Sequence, residues 1–347
     1  MPKAAGDRQR RLTNSMPEHK GAAIAHPNIA LIKYWGNRDS RLRLPANSSL
    51  SMTLGGLRTH TQVTFSPGLD SDRLLINGQQ ASPAAHERTF RHLDLFREMS
   101  GVDDYAAIES HNSFPLGAGI ASSASAFAAL TVAACEALDL PSDGPTLSRL
   151  ARRGSGSASR SIFGGFVQWN AADSDEDCYA EPIAPADHWE LHDWIAVVSK
   201  EEKSVGSTRG HELASSSPLQ SARVQHTSLR LDECRRALMA KDFAALARVV
   251  ELDSDMMHAV MMTSSPPLQY WLPATLEVMH RVRQLRADGL PVCYTLDAGP
   301  NVHCLCPPEQ AEALAGQLRA LTGVTELLHA TPGGPAHSVD VNGAPPK

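Results

Sequence analysis

The sequence predicts an α+β fold in two domains. Strand-like alternation concentrates in the first third of the 347 residues, long helical patterns dominate the rest, and no regular strand–helix–strand alternation appears. At roughly 100–200 residues per domain, the length fits about two units. A polar, acidic stretch around 170–195 separates two apolar sets, so 21–190 and 191–347 are the expected domains. Residues 1–20 are polar and basic with no apolar core, which predicts a disordered tail rather than a secretory signal.

Taken in order, residues 21–32 are mostly small and apolar and predict a strand. Residues 49–54 and 59–65 alternate apolar and polar side chains and predict two more. Asn77-Gly78 between apolar runs is a tight-turn signal. Phe90, Leu93, Leu95, Phe96 and Met99 recur at helical spacing within 84–99, ahead of a strand over 106–110. Residues 122–138 are rich in Ala and Leu and lack Gly and Pro, making this the clearest helix of the chain. A helix over 145–153, a Gly/Ser-rich stretch at 154–161, a strand over 164–169 and an acidic loop at 173–177 follow. A strand at 194–198 and a polar loop at 199–210 precede helices over 219–240 and 242–262, the latter stopped by Ser265-Pro266-Pro267. A helix at 273–288, strands at 291–297 and 302–306, and a helix to about 322 complete the pattern, without internal repeats.

Composition excludes several functions. With 38 acidic and 32 basic residues the net charge is −6, which argues against a nucleic-acid binder while leaving room for a local basic pocket. No run of 18 apolar residues exists, so no membrane helix is expected. The six cysteines form no C-x-x-C pair and read as reduced, buried thiols of a cytoplasmic protein. Neither H-E-x-x-H nor G-x-S-x-G occurs, and Met256, Met257, Met261 and Met262 read as core packing.

Four segments carry candidate chemistry. Pro115-Leu116-Gly117-Ala118-Gly119-Ile120-Ala121-Ser122-Ser123-Ala124 runs straight into the clearest helix. Glycines let the backbone approach a ligand, and a helix start offers free N–H groups with a partial positive charge, a combination that binds phosphate. Gly117, Ala118, Gly119, Ala121, Ser122 and Ser123 are the candidate contacts, the serine hydroxyls facing phosphate oxygens or, at Ser122, a metal ion. An ordinary glycine loop with serine caps is the competing reading. The segment is neither a Walker A loop nor a dinucleotide fingerprint, which would want glycine at Ser122. Arg152-Arg153-Gly154-Ser155-Gly156-Ser157-Ala158-Ser159-Arg160 joins small residues, hydroxyls and arginines, which suits anion binding or a plain polar loop. Thr295-Leu296-Asp297-Ala298-Gly299-Pro300-Asn301 puts a carboxylate at a strand end, either catalytic or turn-forming. Lys33-Tyr34-Trp35-Gly36-Asn37 puts a lysine beside two aromatics, either an anion partner or a snorkelling surface lysine.

Together these segments resemble the GHMP kinase superfamily, and within it the mevalonate diphosphate decarboxylase family. The resemblance rests on His26-Pro27-Asn28-Ile29-Ala30-Leu31-Ile32-Lys33-Tyr34-Trp35-Gly36, Leu44-Pro45-Ala46-Asn47-Ser48-Ser49-Leu50-Ser51, the 115–124 loop, 154–161, Gly164-Gly165-Phe166-Val167 and Asp297-Ala298-Gly299-Pro300-Asn301, in family order. It implies a two-domain GHMP fold with the active site in the cleft between domains, ATP and Mg2+ as cofactors, and commonly a homodimer. It implies that ATP phosphorylates the 3-hydroxyl of a 5-phosphorylated mevalonate, after which phosphate and carbon dioxide leave. In that frame Asp297 is the general base or orienting acceptor at the 3-hydroxyl, Lys33 pairs with it, and Arg160 holds the substrate carboxylate. Tyr34, Asn37, Arg88, Ser155, Ser157 and Thr208 match substrate-contacting positions. One departure concerns the substrate: the family commonly has lysine where Asn37 stands, a cation for the 5-diphosphate. Its loss favours mevalonate 5-phosphate over the diphosphate unless Arg209 compensates. A small-molecule kinase of the same fold is the alternative, and a non-catalytic binding protein a third reading. The carboxylate-gripping arginine argues against the first, intact Asp297 and the two serines against the second.

Overall fold

The computed structural model describes residues 18–115, 122–201 and 205–341. The expected tail over 1–20 falls mostly outside these residues, and so do Gly117, Ala118, Gly119 and Ala121. In chain order the elements are β1 (His19–Ala25), β2 (Asn28–Ile32), β3 (Asn37–Asp39), β4 (Leu44–Pro45), β5 (Ser49–Gly55), β6 (Thr59–Phe65), β7 (Arg73–Ile76) and β8 (Gln79–Gln80). Next come α1 (Pro83–Ser100), β9 (Ala106–Asn112), α2 (Ser122–Ala137), α3 (Gly144–Gly154), α4 (Ala158–Ser161), β10 (Phe166–Trp169), β11 (Ala180–Ala184) and β12 (His192–Val197). The rest are α5 (Ser207–Leu213), α6 (Gln220–Gln225), α7 (Thr227–Ala240), α8 (Phe243–Met262), α9 (Pro273–Ala287), β13 (Cys293–Thr295), β14 (Val302–Cys306), α10 (Ala311–Arg319), β15 (Glu326–Pro332) and β16 (His337–Ser338).

One sheet has the order β16-β1-β6-β9-β7-β8, and a second has β11-β10-β5-β15-β12-β14-β13 with β2 also on β5. The single strand expected over 21–32 is two strands, one in each sheet. Pro27 lacks an N–H and cannot continue a ladder, so the chain leaves the first sheet at His26-Pro27 and enters the second. Strands from both sides of residue 190 share the second sheet, and β16 returns to pair with β1.

The alanine-rich α2 lies on the first sheet because its side chains are small. Ala128, Ala129, Ala133 and Ala134 are wholly buried, and a Cβ at Gly21 of β1 would stand 2.1 Å from the Ala133 carbonyl oxygen. A helix buried over most of its surface needs little polar face, which fits its largely small and apolar composition. Asn77 and Gly78 both take positive φ, as a two-residue type I′ hairpin between β7 and β8 requires.

A core of Leu50, Met52, Ile195, Leu231 and Leu246 lies between the second sheet and α7–α8, while Val278, Val282, Leu314 and Leu318 of α9 and α10 form another core with β12, β13 and β14. The second half departs from expectation in detail. The helix read over 219–240 divides at His226 into α6 and α7, and α5 begins inside the expected 199–210 loop. Strands β11 and β15 were not expected at all. The six cysteines are free and buried, and no helix of the described residues is long and apolar enough to cross a membrane.

Candidate active site

Lys33 follows the last residue of β2, and Asp297 lies two residues beyond β13. The fold brings them together across 264 residues, with Lys33 Nζ 2.8 Å from Asp297 Oδ1. The lysine is 1% exposed, whereas the aspartate side chain keeps 25% and faces a cavity. Burial pulls the Lys33 ammonium below its ordinary value, and Asp297 opposes that pull. Burial would raise the Asp297 carboxyl, but Lys33, His303 and Arg160 hold it below the usual carboxylate range. Each partner thus favours the charged form of the other against the effect of burial.

Arg160 sits on α4, behind the Gly/Ser turn. It is 2% exposed and donates to Ser49 Oγ at 2.6 Å and to Asn28 Oδ1 at 3.1 and 3.3 Å. Among the described residues no carboxylate forms an ion pair with it. Burial lowers its pKa to about 10, with Asp297 acting in the opposite direction. A guanidinium held only by neutral acceptors beside an open cavity is ready to take an external carboxylate.

Among the described residues, the cavity, of about 190 Å³, is lined by four cationic side chains, Lys33, Arg43, Arg88 and Arg160, against one carboxylate, Asp297. Arg43 and Arg88 reach it from opposite segments and are tethered alike. Arg43 Nε donates to the Arg153 carbonyl at 3.0 Å, and Arg88 donates to the Gly154 carbonyl at 3.0 and 3.3 Å. Both carbonyls end α3, where the helix has no further N–H to offer them and its dipole is negative. Arg88 also lies 4.6 Å over the Phe127 ring, against which a Cβ at Gly154 would collide. Arg43 was missed by sequence reasoning. Its place just before Leu44-Pro45 was a usable signal, but its left-handed backbone, φ 53°, was not.

Tyr34 stacks on His211 at 4.2 Å and meets Trp169 edge-on at 4.8 Å. Gly156 supplies the close approach: a Cβ there would stand 2.5 Å from the Tyr34 ring. His211 Nδ1 accepts the Gly36 N–H at 2.9 Å, which leaves the proton of the neutral ring on Nε2. Ser155, Ser157 and Thr208 line the cavity. Asn37 does not; its carboxamide oxygen accepts the Tyr34 hydroxyl, and it lines an adjoining groove of about 640 Å³ that shares His211 with the cavity. Arg209 pairs with exposed Glu212 at 2.7 Å and is not part of the cavity lining.

Ser122 and Ser123 open α2 and line the cavity, and Ser123 Oγ lies 3.1 Å from Ser155 Oγ. The described residues hold no cluster of three His, Cys, Asp or Glu able to bind a metal by themselves. Hydroxyls on a helix start beside arginines instead fit a cation carried in by phosphate groups. Ser122→Ala and Ser123→Ala are expected to weaken nucleotide binding more than substrate binding, each by roughly 1–3 kcal/mol for a lost hydrogen bond to a charged group. Nucleotide titrations that overlay the parent would assign the serines a structural role.

Family models match both halves of the chain: the diphosphomevalonate decarboxylase-like N-terminal domain over residues 25–180 and the mevalonate 5-diphosphate decarboxylase C-terminal domain over 194–338. The diphosphomevalonate decarboxylase of Aspergillus fumigatus is 38% identical over 333 residues, covering 90% of this chain and 82% of that one. The phosphomevalonate decarboxylase of Haloferax volcanii is 34% identical over 323 residues, covering 92% and 98%. A solved structure of the Enterococcus faecalis mevalonate diphosphate decarboxylase superposes with a TM-score of 0.88 at 38% identity, covering 94% of this chain and 100% of that one. Another, described as a complex with MVAPP, AMPPCP and magnesium, gives 0.89 at 39% identity with the same coverage. With matched models over most of its length and relatives above 30% identity over four fifths or more of each chain, the chain belongs to the mevalonate diphosphate decarboxylase family.

Proposed function

We propose that the protein decarboxylates 5-phosphorylated mevalonate at the expense of ATP, and that mevalonate 5-phosphate is preferred to the 5-diphosphate. The observation that carries the reaction is the Lys33–Asp297 ion pair beside Arg160, a buried guanidinium with no carboxylate partner among the described residues. A kinase that stops at phosphorylation has less use for that guanidinium.

Bound Mg2+–ATP supplies the phosphoryl group, with the α2 start and Ser122 as its proposed contacts. Asp297 Oδ accepts the hydrogen bond of the substrate 3-hydroxyl and takes its proton as the oxygen–phosphorus bond forms. A carboxylate held below its usual range is a weak resting base, so its larger effect is orientation, with proton transfer late. Lys33 keeps Asp297 ionised and offsets the negative charge that develops on the oxygen. Phosphate then departs with the C3–O electron pair. The C1–C2 pair becomes the new C2–C3 double bond, and Arg160 releases the carboxylate carbon as carbon dioxide. A cytoplasmic location is part of the proposal, supported by six reduced, buried thiols. So is a homodimer, to be checked by sedimentation.

The substrate preference is supported by counting cations. Arg160 is assigned to the carboxylate and Lys33 to Asp297, which leaves Arg43 and Arg88 as the cavity's other cations among the described residues. Two guanidinium groups balance one phosphate dianion. Beyond the cavity, in the adjoining groove, the further charge of a diphosphate finds neutral Asn37, already engaged by Tyr34, and Arg209 is held by Glu212. The test is a coupled assay comparing both substrates with ATP and Mg2+. The expected result is a higher kcat/KM for the monophosphate, and in Asn37→Lys a shift of the ratio towards the diphosphate by at most about 1.5–3 kcal/mol, one charge-assisted hydrogen bond. A parent that already prefers the diphosphate tenfold would overturn the preference while leaving the decarboxylation intact.

A further inference from the structure

We propose that one turn of α8, through Asp253 and Ser254, is the positioning device that holds Lys33 and Asp297 at their contact distance; the proposal rests on the catalytic reading of that pair. Lys33 lies just past β2, so its peptide groups fall outside the β2–β5 ladder and must be satisfied elsewhere. They are gripped on both sides. The Lys33 N–H donates to Asp253 Oδ2 at 2.6 Å, and the Lys33 carbonyl accepts from Arg223 at 2.7 Å and from Asn47 Nδ2 at 2.9 Å. The second oxygen of Asp253 accepts Arg230 Nε at 2.7 Å, and the carboxylate is 0% exposed. Ser254, the next residue, accepts the Leu296 N–H at 3.0 Å, immediately before Asp297.

Neighbouring residues of one helix turn thus fix the peptide of one partner and the peptide beside the other. A rigid helix between two segments so far apart in sequence acts as a spacer. Satisfying the orphaned N–H groups alone would not require both contacts to come from adjacent helix positions, nor a fully buried carboxylate to supply one of them. The same helix face continues into Met257, which lines the cavity, and His258, which is 1% exposed and meets the Trp271 ring at a tilt, 5.0 Å between centroids. Burial, then Lys33, lowers the His258 pKa to about 3, so its ring is neutral and adds no competing charge.

The charged groups around Lys33 are Asp297 after β13, Asp253 on α8, Arg160 on α4, and, on its carbonyl side, Arg223 of α6, with Arg230 of α7 behind Asp253. Asp253 favours the Lys33 ammonium, so its loss must move the lysine's deprotonation to lower pH.

The test uses the full-length protein with ATP, Mg2+ and 5-phosphorylated mevalonate, measuring kcat, KM and thermal stability across pH for Asp253→Asn and Ser254→Ala. The expected result is kcat lowered about tenfold or more in both, with KM within about threefold of the parent. The alkaline limb of kcat should move to lower pH in Asp253→Asn only. If Asp253→Asn leaves Arg230 without a carboxylate and fails to fold, Ser254→Ala decides alone through its kcat-to-KM split. Stability loss with parental kcat, KM and pH profile would make the contacts merely structural and overturn the proposal. An active parent with unaffected variants overturns this proposal only, whereas a parent without turnover overturns the catalytic reading as well.

Discussion

Asp297→Asn is expected to lower kcat by about 10²–10⁴-fold, the usual cost of losing positioned acid–base help, while nucleotide binding stays near the parent value. The amide keeps the shape of the carboxylate and removes its charge and its proton-accepting capacity. It also leaves Lys33, 1% exposed, without its 2.8 Å partner. Because burial already pulls the Lys33 ammonium down and Asp297 opposes it more than Asp253 does, the lysine in the variant should deprotonate at lower pH still. The same shifts set the signs of the parent's pH profile. Asp297, held below the usual carboxylate range, keeps activity from falling until the pH drops below that range. Lys33, held below the ordinary lysine value, makes the alkaline limb set in earlier than a surface lysine would. Single-turnover kinetics with a separate nucleotide titration check the prediction. Near-parental turnover in Asp297→Asn would remove this residue from the chemistry.

The residues that make up this site were legible to different degrees. Lys33, Arg160 and Asp297, which the fold gathers at one cavity, stand out because each sits in a short segment whose small and polar residues make little sense as core: K-Y-W-G, G-S-G-S-A-S-R and D-A-G-P-N. The glycines in them carry structural information that the cavity explains, Gly156 by admitting the Tyr34 ring and Gly154 by admitting Phe127. Asn37 belongs to the first segment yet points its carboxamide at Tyr34, a detail of rotamer and local turn that spacing does not encode. Arg43 had only its place before Leu44-Pro45 to mark it, because its position at the cavity depends on a left-handed backbone and on the carbonyl end of a helix more than a hundred residues away.

The fold shows the same division. Helix α2 and the Asn77-Gly78 turn follow from local propensity, and both are where the sequence puts them. Strand β15 follows from nothing local. Most of its residues are partly exposed, so it has no clean alternation, and its conformation is set by pairing with β12 on one side and β5 on the other. Those partners lie well over a hundred residues back in the chain, beyond the reach of any window used to read periodicity.

Arg160→Gln is expected to separate binding from stability. The guanidinium is buried, its partners are the neutral Ser49 and Asn28, and burial pulls its pKa down to about 10. Its removal leaves no carboxylate in a direct ion pair unpaired, so the usual penalty for breaking a buried salt bridge, about 3–5 kcal/mol, does not arise. A glutamine can still reach a hydroxyl or an amide, and thermal stability should therefore match or exceed that of the parent. Activity should not follow. A bidentate grip on a carboxylate comprises two charged hydrogen bonds at about 1.5–3 kcal/mol each, so kcat/KM should fall by at least about 10²-fold. The carboxylate is held alike before and during phosphoryl transfer, which makes most of this contact uniform binding, and the loss should appear chiefly in KM. Arg160→Lys should recover only part of it, since an ammonium cannot bind both carboxylate oxygens in the plane of a guanidinium. A variant that is stable and retains the parental KM would show that the substrate carboxylate is held elsewhere, with Arg43 and Arg88, the remaining arginines of the cavity, as the groups to test next.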